Sequence, residues 1–177
     1  MKLKDFLRES TGKSVADLRI DYKGGDFYCS YNELTSLEGA PSHVSGNFDC
    51  SLNHLTSLEG VPRHIDVGFD CSVNELTSLE GAPSHVGGHF YCSYNRLTSL
   101  KDVHKHITEI RGKFYAIGNP ISSHVLGLLL IKGVTEVRLK NKQVEEILNR
   151  HLGKGRVGML MAQEELIEAG LEEFAQL

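Results

Sequence analysis

The chain lacks an apolar run long enough to cross a bilayer: its longest, VLGLLLI at 125–131, falls far short of a spanning helix. Its first ten residues, MKLKDFLRES, scatter charges where a secretory leader would carry an apolar stretch, so a cytoplasmic protein with no membrane partner is expected. Basic residues are nearly missing from 25–100, where nine acidic side chains face only Arg63 and Arg96, a net of −7. Residues 101–142 reverse this with eight Lys/Arg against Asp102, Glu109 and Glu136, a net of +5. The overall charge of −4 therefore hides a bipolar molecule. An acidic array repels phosphate, which leaves Lys113, Arg138, Lys140 and Lys142 as the one basic patch able to carry a nucleic-acid or ribonucleoprotein contact.

Groupings that signal catalysis are also missing. No Ser–His–Asp set, carboxylate pair or Walker-type loop stands out. GKGRVG at 153–158 spells G-x-G-x-x-G, but a helical pattern precedes it where a dinucleotide site needs a strand, so it reads as an interhelical turn. The expectation is a non-enzymatic protein with no cofactor and no metal.

What the sequence has in abundance is repetition. CSYNELTSLEGAPSHV at 29–44 returns as CSLNHLTSLEGVPRHI from 50, CSVNELTSLEGAPSHV from 71 and CSYNRLTSLKDVHKHI from 92. In-phase columns follow: Phe27/48/69/90, Cys29/50/71/92, Asn32/53/74/95, and two columns of leucine. A fixed period of this length implies an array whose units bury their apolar edges only against their neighbours. GKFYAIGNPI at 112–121 keeps Phe114, Asn119 and Ile121 with Ala116 in the cysteine slot, and VTEVRL at 134–139 supplies a sixth strand with Val137. With 40% hydrophobic residues in 177, one cooperative domain with a continuous core is expected.

The pattern F-x-C-x-x-N-x-L resembles the core of leucine-rich repeats, and L-T-S-L-E-G-A-P resembles their short bacterial subclass. The resemblance covers about residues 25–121, with four copies in register. One departure is that the first consensus leucine is replaced by Gly24, Ser45, Asp66 and Gly87, with the apolar anchor (Val44, Ile65, Val86) one residue earlier, leaving the approach to each strand loosely specified. The resemblance implies an α/β solenoid with a parallel sheet on its concave face, repeats over 25–140, an N-terminal helix and hairpin cap over 1–24, and a C-terminal helical cap over 141–177. A helix at 2–9, a hairpin from LRIDY into DFYC, and a Ser-capped helix over SSHVLGLLLIKG complete the expected elements.

Strand alternation sends Phe and Cys inward. The cysteines then form a buried apolar ladder, and the asparagines satisfy backbone groups at each turn. His43, His64, His85 and His106 are expected on return loops with no acid beside them, in a line that suits no tetrahedral metal. The positions beside the Phe and Cys face outward and vary: Tyr28, Tyr31, Asp49, Asp70, His89, Tyr91, Tyr94, Lys113, Tyr115 and Arg138. Exposed tyrosines among charges suit a protein-binding surface. Near-identical copies with free thiols resemble small leucine-rich repeat proteins of tailed bacteriophages. That resemblance implies a host protein or defence complex as partner, inhibited by occlusion. Self-association between the acidic and basic ends is the remaining alternative.

Overall fold

The computed structural model describes residues 12–177 and is an α/β fold of short parallel strands with helices, with no closed barrel. The helix expected at 2–9 lies outside the described residues. Six strands form the main sheet: β2 (Phe27–Tyr28), β4 (Phe48–Asp49), β6 (Phe69–Asp70), β8 (Phe90–Tyr91), β10 (Lys113–Tyr115) and β11 (Glu136–Arg138). They pair in sequence order, with Phe27, Phe48, Phe69, Phe90, Phe114 and Val137 in register. Repeated parallel strands in this order are compatible with a repeat arrangement.

The register has a packing cause. Phe27, Phe48, Phe69, Phe90 and Phe114 are buried, with successive ring centroids 5.2, 5.9, 5.1 and 5.4 Å apart. A one-residue slip would turn this column to water and bring out the residues that now flank it. The cysteines form the next buried column, and the Cys50, Cys71 and Cys92 thiols donate to carbonyls of the following strand at 3.3–3.4 Å. Burial pushes the Cys29 thiol up to about 12 and the other three well above their ordinary value, so the column is unreactive filler. The folded chain should leave all four thiols untouched by a disulfide reagent over the minutes in which the denatured chain loses all four. A thiol reacting at the denatured rate would show the column open to solvent.

The approach to each strand is better specified than the sequence suggests. Val44, Ile65, Val86 and Ile110 are buried. They build a second parallel ladder from β5 (His64–Ile65), β7 (His85–Val86) and β9 (Glu109–Ile110), with a bridge from Val44. Shifting the apolar anchor by one residue thus creates a sheet of its own. Before its last strand, Asp102 takes the place of Gly39, Gly60 and Gly81 at positive φ, and the short helix α1 (Val103–His106) follows.

Both ends differ in detail from expectation. No hairpin forms from LRIDY: β1 (Lys13–Ser14) instead pairs parallel with β3 (Leu34–Ser36), followed by a 3-10 turn over Val15–Leu18. The Gly25 N–H donates to Ser45 Oγ in the next unit, which holds KGG on the path of the array and keeps it from doubling back. Tyr22 covers the edge of β2, its ring edge-on to Phe27 at 5.6 Å. SSHVLGLLLIKG makes only a 3-10 turn at Leu126–Leu130 with no side-chain cap, because four of those five residues are buried and Gly127 packs closely against Val103 and His104.

At the far end, α2 (Lys142–His151) starts at Asn141, whose side chain accepts the Val144 N–H, and α3 (Gly155–Glu168) packs against it. GKGRVG lies at the junction of the two, as a turn and the start of α3. Asn149 accepts from the Val137 N–H at 2.8 Å and donates to its carbonyl at 2.9 Å. Glu145 accepts the Leu139 N–H at 2.7 Å. Side chains of α2 thereby occupy the open edge of β11, the backbone row that would otherwise template another strand.

Candidate functional site

The outer face of the main sheet is organised by the strand register. One row across it reads Tyr28, Asp49, Asp70, Tyr91, Tyr115, Arg138, each residue paired with the next. The preceding row holds Asp26, Asn47, Gly68, His89, Lys113 and Glu136. A third row, two residues past each cysteine, is Tyr31, Leu52, Val73 and Tyr94.

Tyr28, Tyr31, His89 and Tyr94 are exposed. Asp49, Asp70, Tyr91, Lys113, Tyr115 and Arg138 are half-buried, which departs from a freely solvated row. Lateral packing is the reason. Tyr91 and Tyr115 stack at 4.8 Å and 14°, and His89 stands edge-on to both. His89 Nδ1 accepts the Lys113 N–H at 3.0 Å, which leaves the ring's proton on Nε2. The result is a fixed aromatic platform.

The acidic half is built differently. Asp26 accepts from Asn47 N–H and Nδ2, at 2.6 and 3.0 Å. These bonds, the backbone one foremost, hold its carboxyl below the usual range. The Tyr28 hydroxyl is held up, first by its bond to Asp26. Asp49 and Asp70 lie side by side and make no ion pair among the described residues. Each accepts the N–H two residues on, at Ser51 and Ser72. Desolvation, with Asp49 as neighbour, raises the Asp70 carboxyl. This raised group makes ionised Asp70 a cost to the fold above its folded pKa, relieved as pH falls through that pKa.

The basic patch is largely occupied. Lys113 meets Glu136 at 2.6 Å, and Arg138 bridges Glu136 and Glu145. Lys142 also pairs with Glu145 at 3.0 Å. Burial works to raise the Glu145 carboxyl, but the Leu139 N–H, Lys142 and Arg138 outweigh it and hold the group ionised. Of the four basic residues, Lys140 alone is exposed with no ion pair among the described residues. Glu136 is the residue that sequence reasoning misses. Its i+2 spacing to Arg138 and the 23-residue offset from Lys113 were the available signals.

The third row lies in the left-handed region: φ is 58° at Tyr31, 54° at Leu52, 55° at Val73 and 55° at Tyr94. For β-branched Val73 this is a strained conformation. It persists because the ladder runs on through these residues, with N–H donated to the next unit's carbonyl at 2.8–3.1 Å. The turn also aims each asparagine inward and leaves the four apolar and aromatic side chains exposed. Tyr31, Leu52, Val73 and His54 line a shallow groove of about 440 Å³ along this rim.

The histidines form a stacked column on the second ladder, with rings 5.9 Å apart from His43 to His64 and 5.4 Å from His64 to His85. Acids do stand beside them, against expectation. Asp66 lies 3.2 Å from His64 and 3.7 Å from His43, and Glu109 lies 3.9 Å from His85. His106 leaves the column because α1 diverts it, and Glu109 takes the slot opposite His85. Among the described residues no group of three or more His, Cys, Asp or Glu is placed to hold a metal ion. Likewise no helix of the described residues is long and apolar enough to cross a membrane. Comparisons with protein-family models, with curated proteins and with solved structures found no match.

Proposed function

We propose that the chain is a leucine-rich repeat solenoid that binds a protein through the outer face of its main sheet, without turnover. The observation that carries this reading is the rigid Tyr91–Tyr115–His89 platform, next to two carboxylates, Asp49 and Asp70, that pair with no cation among the described residues. Pre-ordered aromatics lose little entropy on contact, and unmatched charge sets the partner's sign. The partner therefore offers Lys or Arg to Asp49 and Asp70 and apolar surface to the tyrosines. An intracellular target blocked by occlusion, as in the phage-encoded proteins that the repeats resemble, fits this mode. Nucleic acid fits poorly, since Glu136 and Glu145 already engage Lys113, Arg138 and Lys142.

Two variants test the reading. Asp70→Asn keeps an acceptor for the Ser72 N–H and removes the desolvated charge, so the fold should become slightly more stable near neutral pH while capture of the partner falls. The stability gain should shrink as pH is lowered through the raised pKa of Asp70. Tyr91→Ala with Tyr115→Ala should weaken capture by about 100-fold or more, as loss of a central aromatic pair does. Affinity capture from host lysate followed by titration of the captured protein reads both. Steep loss of binding with salt, and indifference to the tyrosines, would assign the chain to a phosphate-bearing partner.

A further inference from the structure

Helix α3 has two unlike faces. Gly158, Ala162 and Leu166 are buried, and Gly158 lies so near the His151 carbonyl that a Cβ there would sit 2.5 Å from it. The opposite face exposes Val157 by 66%, Leu160 by 59%, Met161 by 45% and Ile167 by 49%. Val157, Leu160 and Met161 follow helical spacing and, with Ile167 beyond Glu164, make an apolar face that Glu164 and Glu168 share, of the kind that marks an interaction site on a monomer. The helix also carries charge against its own dipole. Lys154 and Arg156 stand at its positive N-terminal end, and Glu164 and Glu168 toward its negative C-terminal end. Acids in the first turn and bases in the last would favour an isolated helix, and both are absent here.

One partner resolves both features, namely the same helix running the other way. We infer that α3 is a self-association surface, pairing with α3 of a second copy antiparallel about a two-fold axis. The stripes then cover each other, and each Lys154/Arg156 end lies beside the other copy's Glu164/Glu168 end. The helix dipoles oppose as well. A two-fold contact is closed, so it gives a dimer and no filament, in contrast to head-to-tail joining of acidic and basic ends.

The test is sedimentation of the full chain across a concentration series, by analytical ultracentrifugation. The expected result is a monomer–dimer equilibrium with a dissociation constant on the order of micromolar, given the small contact of one helix pair. Leu160→Glu should weaken it by about 100-fold or more with an unchanged circular dichroism spectrum. Lys154→Glu/Arg156→Glu and Glu164→Lys/Glu168→Lys should each be monomeric alone and dimerise when mixed, and both swaps suit the helix dipole, so folding is spared. A chain that stays monomeric to millimolar concentration overturns the inference. So does a dimer indifferent to Leu160→Glu, or a mixture of the charge variants that fails to pair. A monomer that melts earlier with Leu160→Glu would assign the stripe to the chain's own residues, and also overturns it.

Discussion

Phe69→Ala should lower the free energy of unfolding by about 3–5 kcal/mol, the range for deleting a fully buried aromatic ring. Phe69 is fully buried and lies between Phe48 and Phe90, at centroid distances of 5.9 and 5.1 Å. Removing it leaves a cavity with rings on two sides, and the strands cannot close because their spacing is fixed by the ladder. Tyr28→Ala on the exposed face of the same sheet should cost within about 0.5 kcal/mol. Urea unfolding followed by circular dichroism measures both. A Phe69→Ala loss under about 1 kcal/mol would mean that the column does not hold the sheet together.

Asn74→Leu is the second large effect, because the side chain is a structural substitute for backbone. Asn74 Oδ1 accepts the Leu55 N–H at 2.9 Å, and Nδ2 donates to the Cys50 carbonyl at 3.0 Å and the Cys71 carbonyl at 3.2 Å. Leucine fills the volume and satisfies none of the three. Unsatisfied buried groups cost about 1–3 kcal/mol each, and some relaxation is available, so a loss of about 2–4 kcal/mol is expected. Asn32→Leu is the control. Among the described residues Asn32 Nδ2 donates only to Ser30 within its own unit, so its loss should be clearly smaller. Equal costs at the two positions would show that bridging between units contributes nothing.

The inward columns were legible because a 21-residue period and a two-residue strand alternation together leave one way to bury Phe and Cys. The asparagine role was legible for the same reason, since buried turns must satisfy their backbone. Val44, Ile65 and Val86 were visible as apolar anchors, but a two-residue ladder has no alternation to reveal it. The hairpin failed because Lys-Gly-Gly is a good turn anywhere, and which backbone it follows was decided by Ser45, a residue one unit away. Seven apolar letters at 125–131 read as helix, whereas close packing around Gly127 permits only a tighter turn. At the face, register placed Tyr28, Asp49, Asp70, Tyr91 and Tyr115 in one row, as strand positions implied. The neutralisation of Lys113 and Arg138 by Glu136 had only the spacing of the three residues to signal it, and spacing alone does not say which side chain reaches across neighbouring strands.

Every partner of Tyr28, Asp49, Asp70 and Tyr91 in the cross-sheet row is one strand away, so the distances between these groups are whole multiples of roughly 4.8 Å. The face is in that sense a ruler with fixed graduations. A target that touches Tyr28 and Tyr91 together must present its own contacts about three graduations apart. Gain or loss of one unit by duplication would change that span by a single step and leave the chemistry at each mark untouched.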